Sequence, residues 1–226
     1  MAVNEEAYKK LKEELSQQKV TLVAVSKTKP VEDIKALYDL GQRDFGENYV
    51  QELVDKQPQL PADICWHYIG HLQSNKVKYI APFVHLIHGV DSLKLLKEIN
   101  KQAVKNNRVI DCLLQVHIAQ EETKFGLDEQ ELHELLNTNS HELHELKNIC
   151  VKGLMGMASF SDDMDKVRNE FKYLKTLFGK HTQLSIANCQ LQTLSMGMSS
   201  DYKIATEEGS TMVRIGSLLF GERVKP

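Results

Sequence analysis

The stretch Leu22 to Lys29, LVAVSKTK, decides how the rest of the chain is read. From Leu22 to Ser26 it is an unbroken short run without polar alternation, the pattern of a strand buried on both faces, as in a parallel sheet. Lys27 therefore stands where such a strand would leave the core. A lysine there either opens a solvated loop or serves as a reactive group, and both readings fit this segment taken alone.

Seven further apolar runs follow the same logic: Asp44 to Asn48, Cys65 to Gly70, Leu86 to Val90, Val109 to Ile118, Ile149 to Ala158, Gln192 to Gly197 and Met212 to Phe220. After a first polar helix near Asn4 to Gln17, helical patterns fill the gaps at Val31 to Leu40, Tyr49 to Lys56, Ser74 to Ala81, Ser92 to Asn106, Asp128 to Asn137, Asp163 to Phe178 and Tyr202 to Glu208. Asp91-Ser92 starts one helix, and Gly41 and Gly209 stop two others. Eight strands alternating with helices predict an α/β fold, a single (β/α)8 TIM-type barrel with an additional N-terminal helix. The other fold with this alternation is an open doubly wound sheet, but a dinucleotide-binding version would carry GxGxxG after its first strand, where this chain has SKTKP.

The chain has 226 residues, of which 42% are hydrophobic, enough for one sizeable core, so residues 1–226 are expected to form one domain. A net charge of −3 provides no field to gather nucleic acid or an anionic membrane surface. The charged start MAVNEEAYKKLKEELSQQ is unlike a secretory or transit segment, and no apolar run approaches bilayer length, so a cytoplasmic location is expected. Cys65, Cys112, Cys150 and Cys189 form no CxxC pair and read as reduced thiols. The run ELHELLNTNSHELHEL completes no HExxH and reads as a solvated helix and loop rather than a metal site. Trp66 reads as a packing residue.

Barrel chemistry sits at the C-terminal ends of the strands. There the sequence collects Lys27, Glu47, Asn48, His67, His71, Asp91, Met155 to Ser159, Ser195 to Ser199, Gly216 and Ser217. The downstream stretch LSMGMSSDYKIATEEGSTMVRIGSLLFG, Leu194 to Gly221, offers hydroxyls and backbone N–H groups for an anion, although glycine and serine also make ordinary turns. A strand-end lysine facing a phosphate cradle suits a cofactor with both an aldehyde and a phosphate, which is the chemistry of pyridoxal 5′-phosphate (PLP). Lys27 is the expected point of attachment. Lys29, Lys76 and Lys124 are amines near loop ends, and Lys124 follows the fifth strand, where it could face the barrel mouth.

The segments AVSKTKP, DFGENYVQE, WHYIGHLQSNK, GLMGMA, LSMGMSSD and GSTMVRIGSLLFG, in this order, resemble the signature blocks of the pyridoxal-phosphate homeostasis protein family. That family is similar to the barrel domain of fold-type III enzymes such as alanine racemase. The resemblance implies that Lys27 forms the internal aldimine, that Arg214 faces the pyridine nitrogen, that Ser195, Gly216 and Ser217 hold the phosphate, and that Asn48 lies near the ring. Gln192 and Thr206 depart from the pattern, where it implies an acid and an aliphatic residue. It further implies a monomeric, non-catalytic protein that buffers PLP and delivers it to apo-enzymes. The alternatives are a racemase-like PLP enzyme, which would need a second base on the opposite face, and a phosphate-binding barrel without pyridoxal. Arg214→Glu is expected to change the cofactor's electronics while sparing the fold.

Overall fold

The computed structural model of the chain describes residues 3–119, 125–136, 141–182 and 189–221. Eight strands, β1 (Thr21–Val25), β2 (Asp44–Glu47), β3 (Cys65–Tyr68), β4 (Leu86–Val90), β5 (Ile110–Gln115), β6 (Ile149–Met155), β7 (Cys189–Met198) and β8 (Met212–Ile215), pair in sequence order into a closed barrel. Every pairing is parallel, and closure comes from β1 against β8, with Val23 opposite Arg214 and Ala24 opposite Ile215. The predicted (β/α)8 barrel is therefore the fold of this chain.

The helices are α1 (Glu5–Gln17), α2 (Val31–Asp39), α3 (Val50–Lys56), α4 (Val77–Ile80), α5 (Leu93–Lys105), α6 (Glu129–Leu135), α7 (His141–His144), α8 (Met164–His181), α9 (Tyr202–Glu207) and α10 (Ser217–Phe220). The additional N-terminal helix α1 is capped by Asn4, whose side chain accepts from Ala7 N, and it buries Tyr8, Leu11 and Leu15. Asn4 N also donates to Leu219 O, joining this helix to α10.

The strands bury both faces, so two cores form. The larger lies between the barrel and its helices, with Phe45, Ile87, Leu114, Val151 and Val213 from the strands and Leu37, Leu96, Phe171 and Leu174 from the helices. The smaller fills the barrel with Val23, Leu86, Leu113, Met155 and Met212. Polar side chains share that interior, because His67 on β3 bonds His88 on β4, and His88 reaches Ser195 on the distant β7. Two close approaches demand glycine. A Cβ on Gly153 would lie 1.7 Å from Thr193 O, and Gly197, at φ 96°, would place one 2.6 Å from the Ala205 Cβ.

Two sequence readings need correction. The apolar run from Met212 to Phe220 is not one strand: β8 ends at Ile215, and SLLF winds into α10. The Ser74 to Ala81 helix is a 3₁₀ turn, Ser74–Lys76, leading into α4. Lys124 and most of the segment 181–191 lie outside the described residues. Among the described residues all four cysteines are free, no group of three or more side chains is arranged to hold a metal ion, and no helix is long and apolar enough to cross a membrane.

Candidate functional site

The turn after β1 is clamped from below. Ser26 Oγ donates to Glu47 Oε1 at 2.7 Å, and Lys56 Nζ donates to Ser26 O at 2.9 Å and to Glu47 Oε1 at 2.8 Å. On the other side of Lys27, Thr28 N donates to Glu52 Oε1 at 2.6 Å, which also accepts from Lys56 Nζ. Thr28 adopts φ 63°, a region that β-branched residues rarely occupy and that persists only when surrounding contacts enforce it. Both neighbours of Lys27 are thus fixed by one buried group of charges. Burial raises the Glu47 carboxyl above its ordinary range, with Lys56 pulling the other way.

Lys27 lines a cavity of about 470 Å³ at the C-terminal end of the strands. Lys29, Asn48, Arg214, Gly216 and Ser217 line it too, together with Ser199 and Ser200 from the end of β7. Its apolar wall is Val25, Ile69, Met157, Phe160 and Met198. Lys29 Nζ donates to Phe220 O at 2.7 Å and bonds Gly221 O, so it closes the end of α10.

Arg214 reaches the cavity from inside the barrel and is only 4% exposed. Its Nη1 donates to Ser195 O at 2.9 Å and Ser195 Oγ at 2.7 Å, and its Nη2 to Gly156 O at 3.1 Å. These acceptors are neutral, so the guanidinium is oriented without being neutralised. Burial lowers its pKa to about 10, with Asp201 opposing, and it remains a cation at neutral pH.

The structure brings five of the six expected site residues to one cavity, namely Lys27, Asn48, Arg214, Gly216 and Ser217. Ser195 is different: it is fully buried and does not line the cavity, but sits beneath Arg214 as its hydrogen-bond partner. The hydroxyls at the cavity are those of Ser199, Ser200 and Ser217, beyond the left-handed Gly197. Ser199 Oγ accepts from Gly216 N at 3.2 Å, tying the β7 and β8 loops together. Gly216 caps α10 by accepting from Leu219 N and Phe220 N, which leaves the N–H groups of Ser217 and Leu218 without an intrahelical acceptor.

Asn48 gives a test of fit for a ring-bearing, phosphorylated ligand. Its Oδ1 is buried without a hydrogen-bond partner at the cavity wall, while its carbonyl is held by Tyr68 Oη at 3.0 Å. Buried acceptors are normally satisfied, so a donor on a bound molecule is the partner this atom calls for. A lysine, a cation, hydroxyls and this unsatisfied amide fit the group inferred from the sequence.

Of the remaining strand-end residues, His71 stacks on Phe125 at 4.1 Å and pairs with Asp91 at 3.3 Å, and Lys76 lies over the Tyr79 ring. Trp66 packs near Phe45 as expected. The sequence reading missed His88, Glu52 and Lys56; for His88, the inward parity of LIHGV on a buried strand was the available signal.

The alanine racemase N-terminal domain model matches residues 5–224. A curated relative from Aquifex aeolicus, named pyridoxal phosphate homeostasis protein, is 44% identical over 203 residues, covering 89% of this chain and 86% of its own length. The chain belongs to the pyridoxal phosphate homeostasis protein family. Another similar structure is that of PipY from Synechococcus elongatus, 35% identical over 96% of this chain and 99% of its own. Its TM-score is 0.88 without PLP and 0.85 with PLP bound. The likeness of the family's barrel to alanine racemase extends to the enzyme from Bartonella henselae, with a TM-score of 0.67 at 17% identity, covering all of this chain and 62% of that one, which establishes a shared fold.

Proposed function

We propose that this chain binds PLP covalently through Lys27 and serves in intracellular PLP homeostasis, buffering the cofactor and delivering it to apo-enzymes as a monomeric, single-domain carrier without substantial catalysis. The observation that carries this reading is the joint lining of one cavity by Lys27, Asn48, Arg214, Gly216 and Ser217. The homeostasis names of the relatives and the PLP bound in PipY support it.

When bound, PLP supplies an aldehyde for covalent attachment and a ring able to withdraw electrons. Lys27 would hold the cofactor by its aldehyde, through a condensation that releases one water and that water reverses on release. Ser199, Ser200, Ser217 and the start of α10 offer donors for the phosphate. In this reading Ser195 acts on the phosphate only indirectly, by holding Arg214. Arg214 presents a fixed positive charge, which disfavours protonation of a neighbouring ring nitrogen and leaves the ring a weak electron sink. Among the described residues, the titratable side chains lining the cavity are Lys27, Lys29 and Arg214, all basic, and Lys29 is engaged at α10. Proton transfer on two faces of an amino acid needs a second acid–base group, for which this lining offers no candidate.

Borohydride reduction of the PLP-loaded protein followed by peptide mapping should place the adduct on Lys27. An adduct mainly on another lysine refutes the attachment. The loaded protein should restore activity to a PLP-dependent apo-enzyme and leave a panel of amino acids unracemised and undecarboxylated. Turnover at ordinary enzymatic rates would instead establish the racemase-like alternative.

A further inference from the structure

Four side chains, three of them buried, link the lower end of the barrel to Arg214. Asp44 opens β2, and its Oδ1 lies 3.0 Å from His67 Nε2. His67 Nδ1 lies 2.9 Å from His88 Nε2, and His88 Nδ1 lies 3.2 Å from Ser195 Oγ. Ser195 Oγ is 2.7 Å from Arg214 Nη1. Asp44 keeps 27% of its side chain exposed, whereas His67, His88 and Ser195 are buried.

With both imidazoles neutral, the two ends fix the direction of the links between them. A guanidinium only donates, so Ser195 Oγ accepts from Arg214. The serine proton then goes to His88 Nδ1, which must carry a lone pair. His88 is left with its proton on Nε2 and gives it to His67 Nδ1, and His67 Nε2–H donates to the Asp44 carboxylate. A cation at the top and an anion at the bottom favour this one order, and hydrogen bonds of common polarity strengthen one another. Burial, followed by the nearby Arg214 cation, keeps His88 neutral, as the order requires. Burial raises the Asp44 carboxyl, but the hydrogen bond from His67 and the Lys12 cation work against it, and its pKa lies below the ordinary value.

We propose that Asp44, His67, His88 and Ser195 are positioning residues, forming a directional hydrogen-bond chain that orients the Arg214 guanidinium toward a ring-bearing ligand in the cavity. The chain's effect on a ligand rests on the PLP-binding reading above; its direction does not.

Two experiments test it. In ligand-free protein, ¹⁵N NMR should find His67 and His88 neutral, each protonated at Nε2. A proton on His88 Nδ1 overturns the proposal. The second is a double-mutant cycle on PLP affinity. Asp44→Asn keeps the shape but supplies an amide that both donates and accepts, so this end no longer imposes the order. Ser195→Ala cuts the chain while leaving the Ser195 carbonyl to Arg214. Each change should weaken PLP binding about two- to tenfold, the scale of one net hydrogen bond, and Asp44→Asn should add nothing once Ser195 is alanine. Additive losses, or unchanged affinity in Asp44→Asn, refute the chain. Wild-type protein that binds no PLP refutes the functional reading instead, and the NMR still decides the chain's direction.

Discussion

Lys56 Nζ lies 2.8 Å from Glu47 Oε1, with 8% and 0% of the two side chains exposed. Removing one member of such a pair strands the other charge. Lys56→Met should cost about 3–5 kcal/mol of unfolding free energy by urea titration, and Lys56→Met with Glu47→Gln should recover much of it, because no buried charge is then left alone. Equal losses in the single and double variants would show that Lys56 acts through packing alone. Since Lys56 and Glu47 also hold Ser26 next to Lys27, the single variant should slow PLP binding in stopped-flow absorbance.

Arg214→Glu, expected from the sequence to spare the fold, should not do so. The new carboxylate would face Ser195 O and Gly156 O, which accept from the guanidinium, and a buried charge against acceptors costs several kcal/mol. Arg214→Gln, which still donates, should lose about 1.5–3 kcal/mol while shifting the absorbance of bound PLP. Thermal melting and spectra of both variants decide the matter, and an Arg214→Glu protein as stable as wild type would contradict the contacts described.

Stability should fall in mild acid, and His88 should contribute to the loss. The unfolded chain takes up a proton on this ring near its ordinary pKa of about 6.5, whereas the folded chain takes it up only at much lower pH because the ring is buried beside His67, Arg214 and His85. The unfolded state therefore binds more protons below that pH, and stability declines by up to about 1.4 kcal/mol per pH unit for this group. His88→Asn should flatten the profile between about pH 6 and pH 5 by up to one proton. Asp44, whose pKa is lowered on folding, adds its own loss only below about pH 4. Identical slopes in wild type and His88→Asn would remove His88 from this account.

Gly197→Ala should destabilise by about 1–3 kcal/mol, because its Cβ would meet the Ala205 Cβ at 2.6 Å in a left-handed backbone conformation. The melting temperature should drop, and PLP affinity with it, since Ser199 and Ser200 follow this turn.

The barrel was legible because each strand is a short apolar run with punctuation before its helix, and Lys27 because it ends the first of them. Ser217 to Phe220 was not, since four apolar residues satisfy the strand and helix templates equally. Ser195 and Ser199 look alike in sequence. Only the turn at Gly197 separates the serine under Arg214 from the one at the cavity. The burial of Lys56 left no trace in the pattern either, because its buried partners Glu47 and Ser26 lie on β2 and in the turn after β1, and a Glu–Lys pair one turn apart on a helix reads as solvated.

The closure of β1 on β8 has a consequence for how the protein is made. Val23 and Arg214 are neighbours in the barrel but almost two hundred positions apart along the chain, so a ribosome synthesises Lys27 long before the strand that completes its cavity. Until Met212 to Ile215 emerges, the nascent chain carries the amine without the cation beside it. A half-made protein therefore holds Lys27 outside any completed cavity, and the site exists only in finished molecules.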